Sequence, residues 1–322
     1  MKIKKEEHIK SPLNYTGNKY RILNQIIDHF PKKMESMLDL FCGGATVGIN
    51  SWAKKVYFVD NKIQIINLLD YLAKVDYKVF ILEIESLIKK YNLSYSAKNG
   101  YRYYRNQFEN DNPNNGLKKF NENGFYRLRE DYNSLKNKET AKANNLLYLL
   151  MVYGFNNDIR FSSLGNFNLP IGKTDLNKNN INKIISYNTK ISTLDYKFIC
   201  SEFYSKEIYE LAKNVDFVYM DPPYLITTAV YNENNGWSTE LEYKLLDFLN
   251  YLIEINKPFV LSNVLEKRGK TNEPLSYWLY KNKDIIEVID IDYHYRSASY
   301  NKIDRNAAER EIIVKFKGVP LK

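Results

Sequence analysis

Residues 35–61 read ESMLDLFCGGATVGINSWAKKVYFVDN, and this stretch decides the fold class. Met37, Leu38, Leu40 and Phe41, with Asp39 among them, lead into Gly43-Gly44, as a short buried strand running into a glycine turn would. TVGINSWAK is long enough for a short helix, and KKVYFVDNK then alternates apolar with polar residues before ending on Asp60, as a second strand would. Strand, glycine turn, helix and strand make a βαβ unit, which predicts a parallel sheet.

Upstream, residues 20–30 (YRILNQIIDHF) carry apolar positions at helical spacing and are stopped by Pro31. Downstream, helical patterning continues to about residue 92. Residues 95–145 then turn rich in Tyr, Arg, Lys and Asn with few aliphatic positions, which reads as an inserted domain. Within it, NGYRYYRNQF (99–108) and NGFYRLREDY (123–132) match at several offsets. Asn-Gly is turn chemistry, so both are expected to be turn-to-helix starts. After the apolar helix NLLYLLMVYGF comes FNNDIRFSSLGNFNLPIGK, a hairpin or loop punctuated by Gly165 and Gly172 and too polar to be core.

From about residue 195 the α/β rhythm returns. KFICSEF, DFVYM and FVLSN read as strands, and LEYKLLDFLNYLIEIN as an amphipathic helix with Leu241, Leu245, Leu249 and Leu252 on its buried stripe. A short helix near Leu275 to Tyr280 and two strands, IIEVIDIDY and REIIVKF, close the chain. The expectation is a doubly wound α/β fold with a mostly parallel sheet and helices on both faces, interrupted once by the insert.

Composition narrows the chemistry. The chain has 322 residues and a formal net charge of +9, with 28 Tyr, 16 Phe and abundant Asn, which suits a polyanion whose bases can be stacked on and hydrogen-bonded. An AT-rich genome would enrich the same residue types. Cys42 and Cys200, with His8, His29 and His294, supply neither a disulfide framework nor a four-ligand zinc site, so no metal is expected. The charged first ten residues lack the apolar segment of a signal peptide, and the longest apolar run, Leu146 to Phe155, is far below the ~20 residues that span a bilayer. A cytoplasmic protein without membrane contact is the expectation.

The chemistry therefore falls to carboxylates, backbone groups and a cofactor. Asp39, Phe41, Gly43 and Gly44 end the first strand, where ligands of open α/β sheets bind. Gly43, Gly44 and Gly48 are spaced GGxxxG rather than GxGxxG, which speaks against a dinucleotide pyrophosphate and leaves a smaller nucleoside. Asp60, at the end of the second strand, stands where a carboxylate accepts both ribose hydroxyls. Asp221-Pro222-Pro223-Tyr224 follows the strand DFVYM. The two prolines fix the backbone so that the Asp221 carboxylate and the Pro222 carbonyl converge on one point. Two acceptors holding the hydrogens of an exocyclic amine expose its lone pair, and Tyr224 offers a ring to stack on the base.

PLNYTGNKYRIL near the start, DLFCGG next, the polar insert and then DPPY resemble, in residues and in order, the D12 class of DNA adenine-N6 methyltransferases, the Dam family. The resemblance covers most of the chain. It implies a Rossmann-like S-adenosylmethionine-dependent methyltransferase domain at 1–92 and 190–322. It also implies a mainly helical target-recognition insert at 93–189, with a DNA-contacting hairpin near 156–172. By resemblance Tyr15, Lys19, Asp60 and Asp221 contact S-adenosylmethionine, with Lys19 beside the methionine carboxylate, and Glu202-Phe203 face the cofactor's adenine. A strand-to-helix cap with a core phenylalanine is the plainer reading of that pair. The hairpin makes Asn157, Arg160 and Asn168 candidates for DNA contact, residue types that pair with guanine and adenine edges.

The implied function is methyl transfer to N6 of adenine flipped out of double-stranded DNA, by a monomer on its DNA. The enzyme would either be partnered by a restriction endonuclease of the same site or be an orphan or phage methylase. N4-cytosine or RNA amino methylation would use the same geometry, and a catalytically silent DNA-binding protein could share the fold. Cytosine-C5 methylation is rejected because neither cysteine follows a proline.

Overall fold

The computed structural model describes residues 8–15, 17–108, 111–226, 236–291 and 309–318. The N-terminal residues 1–7, Thr16 of the TGNK motif, and His294 lie outside the described residues, as does the last part of IIEVIDIDY. Two compact units emerge.

The first unit (Lys19–Cys42, Ser51–Asn61 and Asp195–Lys322) holds the sheet. Its strands are β1 (Ser36–Leu40), β2 (Lys55–Asp60), β3 (Asp195–Cys200), β4 (Phe217–Met220), β5 (Phe259–Lys267), β6 (Lys270–Thr271), β7 (Glu287–Asp290) and β8 (Glu309–Phe316). Their order is β3-β2-β1-β4-β5-β8-β7, with β6 turning back on β5. The five from β3 to β5 are parallel, and β8 and β7 join antiparallel. This is the mostly parallel, doubly wound α/β sheet expected from the sequence. Strand order reverses between β1 and β4, which makes their carboxyl ends the topological switch point.

One face of the sheet carries a continuous apolar core that includes Leu38, Val59, Val218, Leu261 and Val314, covered by Leu245, Leu249 and Leu252 of the helix Thr239–Glu254. Leu241 is only partly buried at its first turn, where the Ser238 hydroxyl accepts from the Leu241 amide at 3.2 Å and caps the helix. On the opposite face Phe30 packs against Phe217 and Tyr219, with ring centroids 4.6 and 5.7 Å apart.

The second unit (Met1–Asn18, Gly43–Asn50 and Lys62–Leu194) is helical. It takes in the helices Ile63–Lys74 and Tyr77–Tyr91 together with the polar segment that follows them. At its centre the helix Ala141–Tyr153 is buried on all sides from Ala143 to Tyr153, which explains why its sequence is apolar without an amphipathic stripe. The helix Lys178–Ile191 starts with a reciprocal Asn177/Asn180 capping box. A buried carboxylate, Asp175, accepts from the hydroxyls of Ser94 and Ser96 at 2.9 and 2.5 Å and from the Ser96 amide at 2.7 Å. It ties the end of the hairpin segment to the start of the insert.

One local expectation fails. Asn99-Gly100 does begin a helix, with Gly100 at φ +82°, but Asn123-Gly124 lies inside the helix Lys118–Asn133. Gly124 is there because the Tyr91 carbonyl passes where a Cβ would stand, and Arg127 donates to that same carbonyl at 3.1 Å. Close helix-to-backbone packing, not a turn, placed this glycine.

Candidate active site

β1 and β4 are in register with Leu40 beside Met220, so the residues after them, Phe41 and Asp221, emerge side by side at the switch point. The Asp221 amide donates to the Leu40 carbonyl at 3.3 Å. Phe41 sits at φ +66°, a left-handed conformation that costs a non-glycine residue energy and turns the chain sharply off the strand. Beneath this turn Asp39 is buried. The Cys42 thiol is buried too, and burial pushes its pKa well up, so it is no nucleophile.

Both oxygens of Asp221 are engaged. Lys19 Nζ lies 2.7 Å from Oδ2, and the Tyr224 hydroxyl donates to Oδ1 at 3.0 Å. The ammonium also stands 5.1 Å from the centre of the Tyr224 ring. Burial pushes the Asp221 carboxyl upward, while the Lys19 charge and the two hydrogen bonds oppose that rise. Lys19 therefore faces the carboxylate of the Asp-Pro-Pro-Tyr turn, and Tyr224 is held by its hydroxyl with its ring half-buried.

Asp60 ends β2 beside Cys200, which ends β3. The Asp60 carbonyl accepts from the Ser201 amide at 3.1 Å. Glu202, one residue on, accepts from Asn61 Nδ2 at 3.3 and 3.4 Å, so two acids flank the carboxyl ends of these strands. Phe203 is buried and forms an aromatic cluster with Phe41 at 5.1 Å and Trp237 at 5.5 Å, the latter stacked. Trp237 in turn donates its indole N–H to Glu242, whose other oxygen accepts from Asn272 at 2.7 Å.

In the helical unit, Gly43 (φ +48°) and Gly44 are packed by this chain itself. A Cβ on Gly43 would stand 2.8 Å from the Tyr15 ring, and one on Gly44 2.7 Å from the Ser11 hydroxyl. Tyr15 lies under the Lys62 ammonium, 5.5 Å from its ring centre. The glycine pair is therefore required for packing of the N-terminal motif.

The hairpin is real but anchored more deeply than its polarity suggested. Ladder contacts pair Gly154 with Ile171 and Phe161 with Phe167, and Ile159, Phe167, Leu169 and Ile171 are buried. Alternation hid these positions: every second residue points inward. Asn133 clamps the Phe167 backbone through both its amide groups, at 2.9 and 3.1 Å. Arg160 Nε donates to Asn168 Oδ1 at 2.9 Å across the hairpin, which brings two of the DNA candidates together. Asn157 is elsewhere, at φ +55°, donating to the Val152 carbonyl at 2.5 Å and the Thr174 hydroxyl at 2.8 Å.

The family model for D12 class N6 adenine-specific DNA methyltransferases matches residues 15–293. This chain belongs to that family. The StsI modification methylase of Streptococcus sanguinis is 34% identical over 310 residues, covering 94% of this chain and 42% of that protein. The type II methyltransferase M.FokI of Planomicrobium okeanokoites is 34% identical over 306 residues, again covering 42% of its length. The DNA adenine methylase of Escherichia coli K12 is 25% identical over 255 residues, 79% of its length. The chain thus spans less than half of the first two relatives.

Two features of this D12-class chain were not found from sequence. Trp237 follows no motif, and its place beside Phe203 is set by tertiary structure. Glu311, next to the apolar run Ile312–Val314 of β8, is buried, and its Oε2 has no partner among the described residues; an acid at an inward strand position was the available signal. Among the described residues no cluster of three or more His, Cys, Asp or Glu is placed to hold a metal ion, and no helix is long and apolar enough to cross a membrane.

Proposed function

We propose that this chain transfers a methyl group from S-adenosylmethionine to N6 of adenine in double-stranded DNA. The observation that carries the reading is Asp221 held rigidly at the β1/β4 switch point by Lys19 and Tyr224. A preorganised carboxylate beside a proline carbonyl is the acceptor pair an exocyclic amine needs.

The residues present suit the cofactor. Phe41, partly exposed and backed by buried Phe203 and Trp237, offers aromatic surface for an adenine, Asp60 and Glu202 offer acceptors for ribose hydroxyls, and the carboxylates suit a cation. Bound there, S-adenosylmethionine supplies a methyl group made electrophilic by its sulfonium. Asp221 and the Pro222 carbonyl orient the amine so that its lone pair meets that methyl in line, and Asp221 takes up the charge as a proton leaves. Tyr224 stacks on the flipped base, with Pro223 fixing its approach. Asp39 and Phe41 shape the turn on which the cofactor rests.

Residues 1–92 and 190–322 act in this reading as the catalytic domain, and 93–189 as the target-recognition insert. Arg160 and Asn168 reach the bases, and Asn157 stiffens the root of their hairpin. The names of its relatives make a restriction endonuclease of the same site the natural partner, and the enzyme acts as a monomer in the cytoplasm. Methylation-sensitive sequencing of DNA from cells expressing the chain tests the reading: N6-methyladenine at one recurrent sequence supports it, and an unmodified genome together with no calorimetric binding of S-adenosylmethionine refutes it.

A further inference from the structure

Glu311 is a buried acid with no part in the proposed transfer. It lies on β8 opposite Val264 of β5, so it shares a sheet face with Ser262, whose hydroxyl lies 3.0 Å from that of Tyr219. It is 4% exposed, and its buried Oε2 has no hydrogen-bond partner among the described residues. A buried carboxylate oxygen in that condition is costly unless the group is neutral or a charge compensates it.

Among the described residues, the charges that act on it are those of Lys19, Asp221, Glu309 of its own strand and Lys267 of β5. Lys267 and Glu309 pair with each other at 2.6 Å, and Lys19 is committed to Asp221 at 2.7 Å. Buried Tyr219 feels both Asp221 and Glu311. Asp221 thus holds the buried ammonium and the Tyr224 hydroxyl, whereas Glu311 has neither contact at its buried Oε2 among the described residues. Burial accordingly pushes Glu311 up to about 7 against a usual 4.5.

We propose that Glu311 is a proton-holding residue that keeps the Lys19–Asp221 site electrically neutral through the methyl-transfer cycle. This rests on the reading of the chain as an S-adenosylmethionine-dependent enzyme. Before the donor binds, Lys19 balances Asp221 and Glu311 carries its proton. The donor's sulfonium must come near Asp221, because its methyl group is transferred at the amine Asp221 holds. That added positive charge releases the proton of Glu311 to solvent. In the transfer, the amine lone pair forms the new N–C bond, the electrons of the breaking C–S bond stay on sulfur, and one N–H electron pair returns to nitrogen as its proton leaves. Sulfur is then neutral, and the proton comes to rest on Glu311, whose buried Oε2 has no hydrogen bond among the described residues, and not on Asp221, whose oxygens are held by Lys19 and Tyr224. Glu311 is a positioning residue in this scheme, acting through the Lys19–Asp221 pair.

S-adenosylmethionine and its demethylated product S-adenosylhomocysteine differ by that one positive charge, so comparing them isolates the effect. The test is isothermal titration of the protein with each at pH 7, in buffers of different ionisation enthalpy, which counts protons released on binding. The wild type should release roughly half a proton more with S-adenosylmethionine, the share that a group half-ionised at pH 7 still holds. That difference should vanish at pH 9, where Glu311 is already ionised, and at pH 7 in Glu311→Gln. Equal release with both ligands in the wild type, or a difference that persists at pH 9 or in Glu311→Gln, overturns the proposal. Should Glu311→Gln fail to fold, the wild-type pH series decides alone. Failure of either ligand to bind removes the methyltransferase reading and this inference with it. In single turnovers with a pH-indicator dye, the proton should appear on S-adenosylmethionine binding, before methyl transfer; release coincident with methyl transfer contradicts Glu311 as acceptor.

Discussion

The Lys19 ammonium and the Asp221 carboxylate lie 2.7 Å apart, with the lysine 4% and the aspartate 17% exposed. An ion pair this deep costs much of its Coulombic gain in desolvation and is weak evidence for stability. Its consequence is positional. With Tyr224 on the other oxygen, the pair fixes one carboxylate in one rotamer at the mouth of the sheet.

Asp221→Ala should reduce methyl transfer by ~10²-fold or more, the cost of losing one preorganised group at a reacting centre. DNA affinity in a gel-shift assay should stay close to wild type, because the carboxylate acts on the amine and not on phosphate. Since the substitution strands Lys19, Asp221→Asn serves as the gentler control for folding. Near-normal turnover in either variant contradicts the assigned role.

Asp60→Ala should weaken S-adenosylmethionine binding by about 1.5–3 kcal/mol, the value of hydrogen bonds to a charged group. Turnover should partly recover at high cofactor concentration. An unchanged dissociation constant in a folded variant removes Asp60 from the ribose site.

Arg160, paired with Asn168 at 2.9 Å, presents a guanidinium already oriented by its partner. If it reads a base edge, Arg160→Ala relaxes discrimination at one position of the target by about 1–3 kcal/mol, and Asn168→Ala does part of the same by loosening the arginine. Methylation rates on a panel of single-base variants measure this. A uniform fall across the panel with a shallower salt dependence assigns Arg160 to phosphate.

Glu311 also ties stability to pH. Its pKa in the folded chain, about 7, is raised above the usual 4.5, so the fold favours the protonated form. Its contribution is whole below about pH 4.5 and is lost as pH rises through 7, a swing on the order of 3 kcal/mol. Thermal melts at pH 5 and pH 8 should differ less in Glu311→Gln than in the wild type. An identical pH response in the two proteins rules out a titrating Glu311.

The strands around the site were legible because their signals are local. DLFCGG and DFVYMDPPY combine an apolar run with a glycine or proline stop, and Asp60 follows at the spacing of a βαβ unit. The Lys19–Asp221 pair was not legible, since some two hundred residues separate the partners and a lysine before an apolar helix is ordinarily solvated. Gly124 misled because glycine signals both a turn and a close packing contact, and only the Tyr91 carbonyl distinguishes them. Glu311 and Trp237 acquire meaning from neighbours across the sheet, which no window along the chain contains.

The proposed function requires that the group held at Asp221 be the N6 amine of adenine in duplex DNA. The direct measurement is incubation of the purified protein with methyl-labelled S-adenosylmethionine and genomic DNA, followed by digestion to nucleosides and chromatographic separation. Label is expected in N6-methyldeoxyadenosine, absent when Asp221→Ala is used. Label in N4-methyldeoxycytidine, label only when RNA replaces the DNA, or no transfer at all would contradict it.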